Sequence, residues 1–244
     1  DCFHVIYEIG KGTCGALMSK VKKAKKEYEK AVNQTQQIAQ EKERFDTADK
    51  RPRGRRPHFE KRIEHAQTQE QQTKENLDQA RLNQETVRSA KAEIGSVYHP
   101  YNLETGRPQN SETVRCLLID CFDRIHTATT DLSDRCKKHV NKAQRVVKSM
   151  VATIAFFFQM INVYLDNMHL SDRDKYLMHN YLIPGHYLMQ AANKQKDVDR
   201  KAKILETAQE LLSIVNVIDE SVDVISECKI EELNKAAKSC AQFF

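Results

Sequence analysis

Residues 140–165, VNKAQRVVKSMVATIAFFFQMINVYL, are the most apolar stretch of this chain, and any fold has to bury much of it. Its first half carries apolar residues at steps of three and four, as one face of a helix requires; they are Ala143, Val147, Met150 and Ile154. Its second half is apolar nearly all round, which predicts a helix buried on most sides. At about 1.5 Å per residue this helix would be roughly 39 Å long. We expect it to be the centre of a hydrophobic core.

The same stretch is close to the length of a membrane span. Residues 149–165 are an uncharged run of 17 residues, just below the run of about 18 or more that marks a candidate span. Lys148 and Asp166 bound the run, and Gln159 and Asn162 interrupt it. We therefore favour a core helix over a membrane helix.

The composition favours a helical protein. The chain has 244 residues, of which 30% are charged and 40% hydrophobic, with only seven Gly, five Pro and no Trp. Sandwiches and barrels need many more turn residues, so an all-α fold is expected. The chain starts at Asp1 rather than Met and ends within a helical pattern, so we expect an internal piece of a longer protein.

The cysteines indicate a reducing compartment. There are seven, an odd number, and no two form a CxxC pair. Free thiols in a cytoplasmic protein are therefore expected rather than a disulfide framework. Cys136 and His139 could share one face of a helix and of a metal site, but without a second pair we favour no metal there.

Two long heptad patterns predict an antiparallel helical hairpin over residues 16–94. A first seam follows alternating steps of four and three, through Leu17, Val21, Ala24, Tyr28, Ala31, Thr35, Ile38, Lys42 and Phe45. A second seam repeats the alternation through Phe59, Ile63, Ala66, Glu70, Thr73, Leu77, Ala80, Gln84, Val87, Lys91 and Ile94. A short Pro- and Gly-containing link between such helices makes an antiparallel coiled-coil hairpin the simplest fold.

The link, residues 50–57, reads KRPRGRRP and would form the tip of this hairpin. Residues 11–62 hold 16 Lys or Arg against 7 Asp or Glu, a local net charge of +9 within a chain of +5. Arginine matches phosphate geometry, and each neutralised phosphate releases counterions. We interpret the tip as a DNA-contacting site, with a solvated turn as the alternative; its candidate residues are Lys50, Arg51, Arg53, Arg55 and Arg56.

The rest of the chain divides into three further segments. Residues 1–15 are expected to be the end of a strand entering a turn or helix. Residues 95–110 should form a linking loop whose aromatic residues, Tyr98, His99 and Tyr101, dock against the core. Residues 111–244 predict a bundle of five or six helices: one from an N-cap at Ser111, one continuous from about 134 to 167, one capped by Ser171, a short one after a break at Pro184–Gly185, one over about 197–219 and one over about 230–244.

Four stretches resemble segments of bacterial insertion-sequence transposases of the DDE type. They are DCFHVIYE at the start, YHPYNLETG at 98–106, KAQRVVKSMVATIAFF at 142–157 and LIPGHYL at 182–188. In such transposases a long helical insertion interrupts an RNase H-like catalytic domain before its final glutamate. The resemblance covers nearly the whole chain and implies that residues 1–15 are a remnant of the catalytic domain.

The resemblance also implies metal-dependent phosphodiester chemistry in the intact protein. Three carboxylates would hold two Mg²⁺ ions, which activate a water or a 3′-hydroxyl and stabilise in-line displacement. Asp1 looks like the aspartate that precedes an F-H pair in these proteins, so it is the candidate metal-binding carboxylate, with His4 supporting it. An ordinary acidic residue is the alternative for Asp1. The other carboxylates would lie before residue 1 and beyond Phe244, so this chain alone should not cleave DNA and should need no cofactor.

The expected function is therefore that of a helical insertion in a DDE transposase. It would contact transposon or target DNA or a second subunit, and form a homo-oligomer in the intact assembly, away from any membrane. The alternative is a non-enzymatic coiled-coil scaffold that binds a protein partner.

Overall fold

The fold is all-α, as the sequence predicts. The computed structural model describes residues 2–48, 57–219 and 227–244, and within these ranges it contains nine α-helices and no strand. They are α1 Cys2–Thr47, α2 Phe59–Val97, α3 Ser111–Ala128, α4 Asp134–Gln144, α5 Val147–Asn167, α6 Asp172–Leu177, α7 Ile183–Lys194, α8 Val198–Asp219 and α9 Glu227–Cys240.

The chain divides into two compact units. The arm unit comprises His4–Lys91 and Phe122–Ala143. The bundle unit comprises Asp1–Phe3, Ala92–Cys121 and Gln144–Phe244. Residues 122–143, which the sequence assigns to the bundle, thus cluster with the two long helices.

Within the arm unit, α1 and α2 lie side by side in antiparallel order. The ring of Phe45 packs at 5.5 Å from that of Phe59. Further from the link, the Lys91 ammonium lies 3.8 Å from the Cys14 sulfur. The late part of α1 thus meets the early part of α2, and the early part of α1 meets the late part of α2, as a hairpin requires.

The predicted heptad seam coincides with the shielded stripe of both helices. All positions of the seam predicted for α1 are buried or half-buried. The buried ones fall seven residues apart, at Leu17, Ala24, Ala31 and Ile38. All seam positions of α2 are likewise buried or half-buried. Knobs-into-holes packing itself stays a prediction.

The first residues of the chain do not form a strand. From Cys2 onward they are part of α1, which buries Val5 and Ile9 before the heptad seam begins. The expectation of a strand end at residues 1–15 is therefore wrong. Apolar side chains at steps of four in this segment suit a helix as well as a short strand.

Helix α4 packs closely on the first part of α1. A Cβ atom at Gly12 would lie 2.6 Å from the Cβ of His139 and 3.0 Å from the carbonyl oxygen of Cys136. Further along α1, the Lys20 ammonium donates to the backbone oxygen of Asp131 at 3.1 Å. The absence of a side chain at Gly12 is what allows the two helices to approach so closely.

Several helices of the bundle unit share one hydrophobic core. Buried residues of α5, α7, α8 and α9 pack around Tyr101 and Leu103 of the loop before α3. The Tyr101 ring lies 5.9 Å from Phe157 and 5.6 Å from Phe158. The prediction that the aromatic loop docks against the core is confirmed.

Helix α5 is central to this core but is not buried on most sides. One stripe is buried, at Val147, Met150, Ile154, Phe157, Ile161 and Leu165. The opposite face exposes Phe156 by 59%, Val163 by 56% and Met160 by 37%. The expectation of burial nearly all round is wrong, because an apolar composition does not specify how many faces find a neighbour.

Within the residues that the structure describes, one stretch, Asp134–Asn167, is long and apolar enough to cross a membrane by length and composition. Its most apolar window has a mean hydropathy of 1.6, and 28% of that window is buried within the protein. The stretch is also divided, because residues 145–146 form a turn between α4 and α5. A single continuous helix over 134–167 was expected, and this expectation is wrong.

The other predicted boundaries of the bundle need small corrections. The cap of α3 is Asn110, whose side-chain oxygen accepts from the Glu112 amide at 2.8 Å, rather than Ser111. The predicted break at Pro184 is instead a π-helical turn, Met178–Leu182, that leads directly into α7. Pro184 is the second residue of α7, and the φ that its ring fixes, about −65°, is compatible with a helix. The Ser171 cap of α6 is confirmed, since its hydroxyl accepts from the Asp174 amide.

Candidate nucleic-acid interface

Most of the predicted site residues lie outside the described residues. These are Asp1 and the tip residues Lys50, Arg51, Arg53, Arg55 and Arg56. His4 is described and is exposed in the first turns of α1. The described residues therefore bring none of the predicted site residues together.

The described residues do not supply a magnesium site. Within them, no three His, Cys, Asp or Glu side chains are close enough to hold a metal ion. The Cys136 and His139 pair has other partners: the Ser133 hydroxyl donates to the Cys136 sulfur at 3.2 Å, and His139 contacts Glu8. No catalytic step can be assigned to these side chains.

The early half of α1 carries a dense set of lysines. Between residues 11 and 31 there are seven lysines against two glutamates. All seven lysines are exposed; they are Lys11, Lys20, Lys22, Lys23, Lys25, Lys26 and Lys30. Because these positions are helical, the side chains project from a rigid element rather than from a loop. The result is a cationic surface independent of the tip.

Some of these charges are partly neutralised by neighbours on the arm. Lys23 lies 3.9 Å from Glu27, and Lys25 lies 3.7 Å from Glu29, one helical turn on. Exposed pairs of this kind are worth little, about 0.3–0.5 kcal/mol. Lys22, Lys26 and Lys30 make no ion pair with another described residue. These three ammonium groups keep their charge available to a ligand.

Two adjoining grooves lie on one side of the helix pair. The first, about 500 Å³ in volume, is lined by α1 residues that include Lys26, Glu29 and Lys30. The second, about 540 Å³, lies between α1 and α2 nearer the link and includes Lys61 and His65. They share Gln34 and Gln37. We call this side the basic flank and define it by Lys26, Lys30, Gln34, Gln37, Lys61 and His65.

The groove on the other side of the helix pair has a different chemistry. It measures about 440 Å³ and is lined mainly by amides, hydroxyl-bearing and apolar side chains. Its two charged residues are Glu70 and Lys74, which have opposite signs. The two sides of the arm therefore differ in charge, and the basic one was not predicted. The four-residue spacing of Lys26 and Lys30 in the sequence was a signal that could have indicated this basic side.

At the base of the arm unit, Glu8 joins α1 to α4. One of its carboxylate oxygens lies 2.7 Å from the Lys142 ammonium and the other 2.7 Å from His139 Nδ1. The hydrogen bonds from Lys142 and then His139 lower the pKa of Glu8 from 4.5 to about 2. Since an ionised carboxylate only accepts, Nδ1 carries the proton in this contact.

The bundle unit contains a second histidine contact. His99 Nδ1 lies 2.7 Å from the Tyr187 hydroxyl, beside a cavity of about 200 Å³. Burial lowers the pKa of His99 to about 4 and raises that of Tyr187. Both groups are therefore neutral near pH 7, so the tyrosine hydroxyl and the imidazole form a neutral pair that helps to hold the aromatic loop.

Asp174 of α6 is a buried carboxylate. It is 2% exposed, and its carboxylate lies 2.7 Å from the Lys229 ammonium of α9. Burial alone would raise its pKa, but the Lys229 and Ser171 hydrogen bonds outweigh burial and lower the pKa below 3.8. This ion pair joins α6 to α9 and has a structural role.

No protein-family model, no curated protein and no solved structure matches the chain. The likeness to transposases therefore rests on the four sequence motifs.

Proposed function

We propose that this chain is the helical insertion region of a DDE-type transposase and that its arm unit contacts DNA. The observation that carries the proposal is the set of seven exposed lysines against two glutamates over residues 11–31. Such a density of cations on one helix suits the phosphate backbone, the sequence-independent part of DNA binding. The four transposase-like motifs are what supports the choice of this class of protein.

In this proposal the tip and the arm act together. Lys50, Arg51, Arg53, Arg55 and Arg56 would add phosphate contacts to those of the α1 lysines. The DNA would be a transposon end or a target, and a second copy of the chain is a further candidate partner. The intact protein would work in the cytoplasm and would not depend on a membrane.

The chemistry would be performed by the intact transposase. Mg²⁺ would there supply Lewis-acid activation of the attacking hydroxyl, and Asp1, with His4 near it in sequence, would contribute to the metal-binding carboxylates. The donors in the described residues do not form such a site. This chain's own part is to bind and position DNA.

The proposal is tested by measuring binding of the 244-residue chain to a 30-base-pair duplex as a function of salt. We expect binding at about 50 mM salt, with log affinity falling linearly with log salt by about 0.9 per neutralised phosphate. Replacing Arg51, Arg53, Arg55 and Arg56 by Ala should lower that slope. Absence of binding at low salt would refute a DNA-contacting function, and an unchanged slope would remove the tip from it.

The second candidate is a helical scaffold for a protein partner, and the exposed face of α5 favours it. Phe156, Met160 and Val163 are large apolar side chains on one face, and contiguous exposed apolar surface often marks a protein contact. A scaffold without DNA function would show no salt-dependent duplex binding. Its association with a partner would instead be lost on Phe156→Glu and kept at high salt.

A further inference from the structure

We infer that the basic flank is the surface along which a DNA duplex lies, with the flank contacting phosphates on one side of the arm only. This inference rests on the proposed function and deepens it, because it assigns the contact to described side chains rather than to the tip. The first observation is continuity: the two grooves of the flank adjoin through Gln34 and Gln37.

The donors of the flank are spaced as a track along the arm. Lys26 and Lys30 are four residues apart on α1, so their Cα atoms differ in height by about 6 Å. Gln34 and Gln37 continue the track with amide donors, and Lys61 and His65 complete it from α2. Ammonium and amide N–H groups are typical phosphate donors, and they position a duplex without reading its sequence.

Each groove of the flank is also lined by one glutamate, Glu29 in the first and Glu41 in the second, and both glutamates already face a cation. Glu41 accepts from Arg62 at 2.9 Å, and Glu29 lies 3.7 Å from Lys25. By contrast, Lys26, Lys30 and Lys61 make no ion pair with another described residue. The cations of the flank are thus available, whereas its anions are held by neighbouring cations.

The opposite side of the arm lacks these properties. Positions on a helix advance by about 100° per residue, so Val32 and Gln36 point away from Gln34 and Gln37. They line the groove in which Glu70 and Lys74 balance each other. A duplex that contacted the arm through general attraction would not distinguish the two sides, whereas one seated on the flank would.

Two double variants with equal net charge separate these cases. Lys30→Glu with Lys61→Glu changes the flank, with one substitution on each long helix. Lys11→Glu with Lys74→Glu changes exposed lysines of the same helices that line neither groove of the flank. Each double variant lowers the net charge by the same amount, so any general electrostatic effect is common to both. Far-ultraviolet circular dichroism and Tm check that both remain folded.

The measurement is binding to the same 30-base-pair duplex over a salt series. The flank variant should weaken binding roughly tenfold or more at about 50 mM salt and lower the salt slope by about 2, whereas the control should change affinity less than about threefold. Equal weakening by both variants would overturn the flank assignment and leave the proposed DNA function standing. Absence of duplex binding by the unaltered chain would overturn both.

A membrane surface is the other large polyanion, and the same variants test it. Vesicles containing one-third phosphatidylserine are the probe, used at the same salt concentrations. If the flank variant loses vesicle binding while its duplex affinity matches that of the control, the flank is a lipid-contacting surface and the DNA assignment is wrong. If the unaltered chain does not bind the vesicles, duplex selectivity supports the assignment.

Discussion

His139 Nδ1 lies 2.7 Å from a carboxylate oxygen of Glu8, 131 residues earlier in the chain. The same carboxylate receives the Lys142 ammonium on its other oxygen. Because α4 supplies both hydrogen-bond donors and α1 supplies the carboxylate, the Glu8 contacts attach the two helices in addition to their packing. The stability of the arm unit should therefore depend on the ionisation of Glu8.

Lowering the pH should weaken the contacts of Glu8 with Lys142 and His139. The weakening should occur between the usual pKa of a glutamate and the lowered pKa of Glu8. The folded-state pKa is lowered from 4.5 to about 2, so the stabilisation is present above pH 4.5 and is lost as pH falls toward 2. We expect Glu8→Gln to lower Tm at pH 6 and to have little effect at pH 2. Thermal unfolding at several pH values measures this, with the exposed Glu27→Gln as the control. A Tm difference that stays constant from pH 6 to pH 2 would contradict the assignment.

Gly12 and Gly15 should respond in opposite directions to substitution by alanine. At Gly12 the added Cβ would meet His139 at 2.6 Å, whereas nothing lies within 4 Å at Gly15. Gly12→Ala should cost about 1–3 kcal/mol through overpacking, and Gly15→Ala should stabilise α1 by about 0.5–1 kcal/mol. Urea unfolding of both variants measures the difference. Similar effects at the two positions would mean that α4 does not approach α1 this closely.

The neighbouring phenylalanines of α5 should differ sharply in their contribution to stability. Phe157 is 1% exposed and Phe156 is 59% exposed. Phe157→Ala should therefore cost about 3–5 kcal/mol, whereas Phe156→Ala should change stability by less than about 0.5 kcal/mol. Chemical unfolding at equal protein concentration tests the orientation of α5. A large cost at Phe156 would show that this face is covered in solution.

Asp174 should contribute more to the stability of the fold than Asp172, which lies in the same helical turn. Asp174→Asn removes the charge that faces Lys229 in a buried position, and we expect a loss of roughly 1–3 kcal/mol. Asp172→Asn, at an exposed position, should change stability by less than about 0.5 kcal/mol. The comparison uses the same substitution two residues apart, so equal effects would place Asp174 in solvent. Urea unfolding at pH 7 is sufficient.

The shielded stripe of α1 could be predicted because heptad spacing is a local property. All seam positions chosen for α1, including the polar Thr35 and Lys42, are shielded in the structure. Helix α8 was also expected within one residue of its observed start at Val198. In both cases the periodic apolar residues face one neighbour, so the pattern and the burial agree.

The remaining features depend on contacts between distant segments. The spacing of residues in the sequence predicts neither the contacts of Glu8 with His139 and Lys142 nor the ion pair of Asp174 with Lys229. The exposed face of α5 could not be anticipated because Phe156 and Phe157 are identical in type and differ only in orientation. The π-helical turn before Pro184 likewise has no signal in the sequence, since proline and glycine together ordinarily predict a break.

The lysines of α1 and the exposed apolar face of α5 should respond to salt in opposite senses. Added salt shortens the Debye length, from about 10 Å at 0.1 M to about 3 Å at 1 M. It therefore screens the charges of the α1 lysines. Sulfate and similar excluded salts strengthen the burial of apolar groups such as Phe156 and Val163. Dilute buffer should thus favour polyanion contacts, whereas concentrated sulfate should favour self-association through α5. The type and concentration of salt should therefore decide through which of these two surfaces the protein makes contacts.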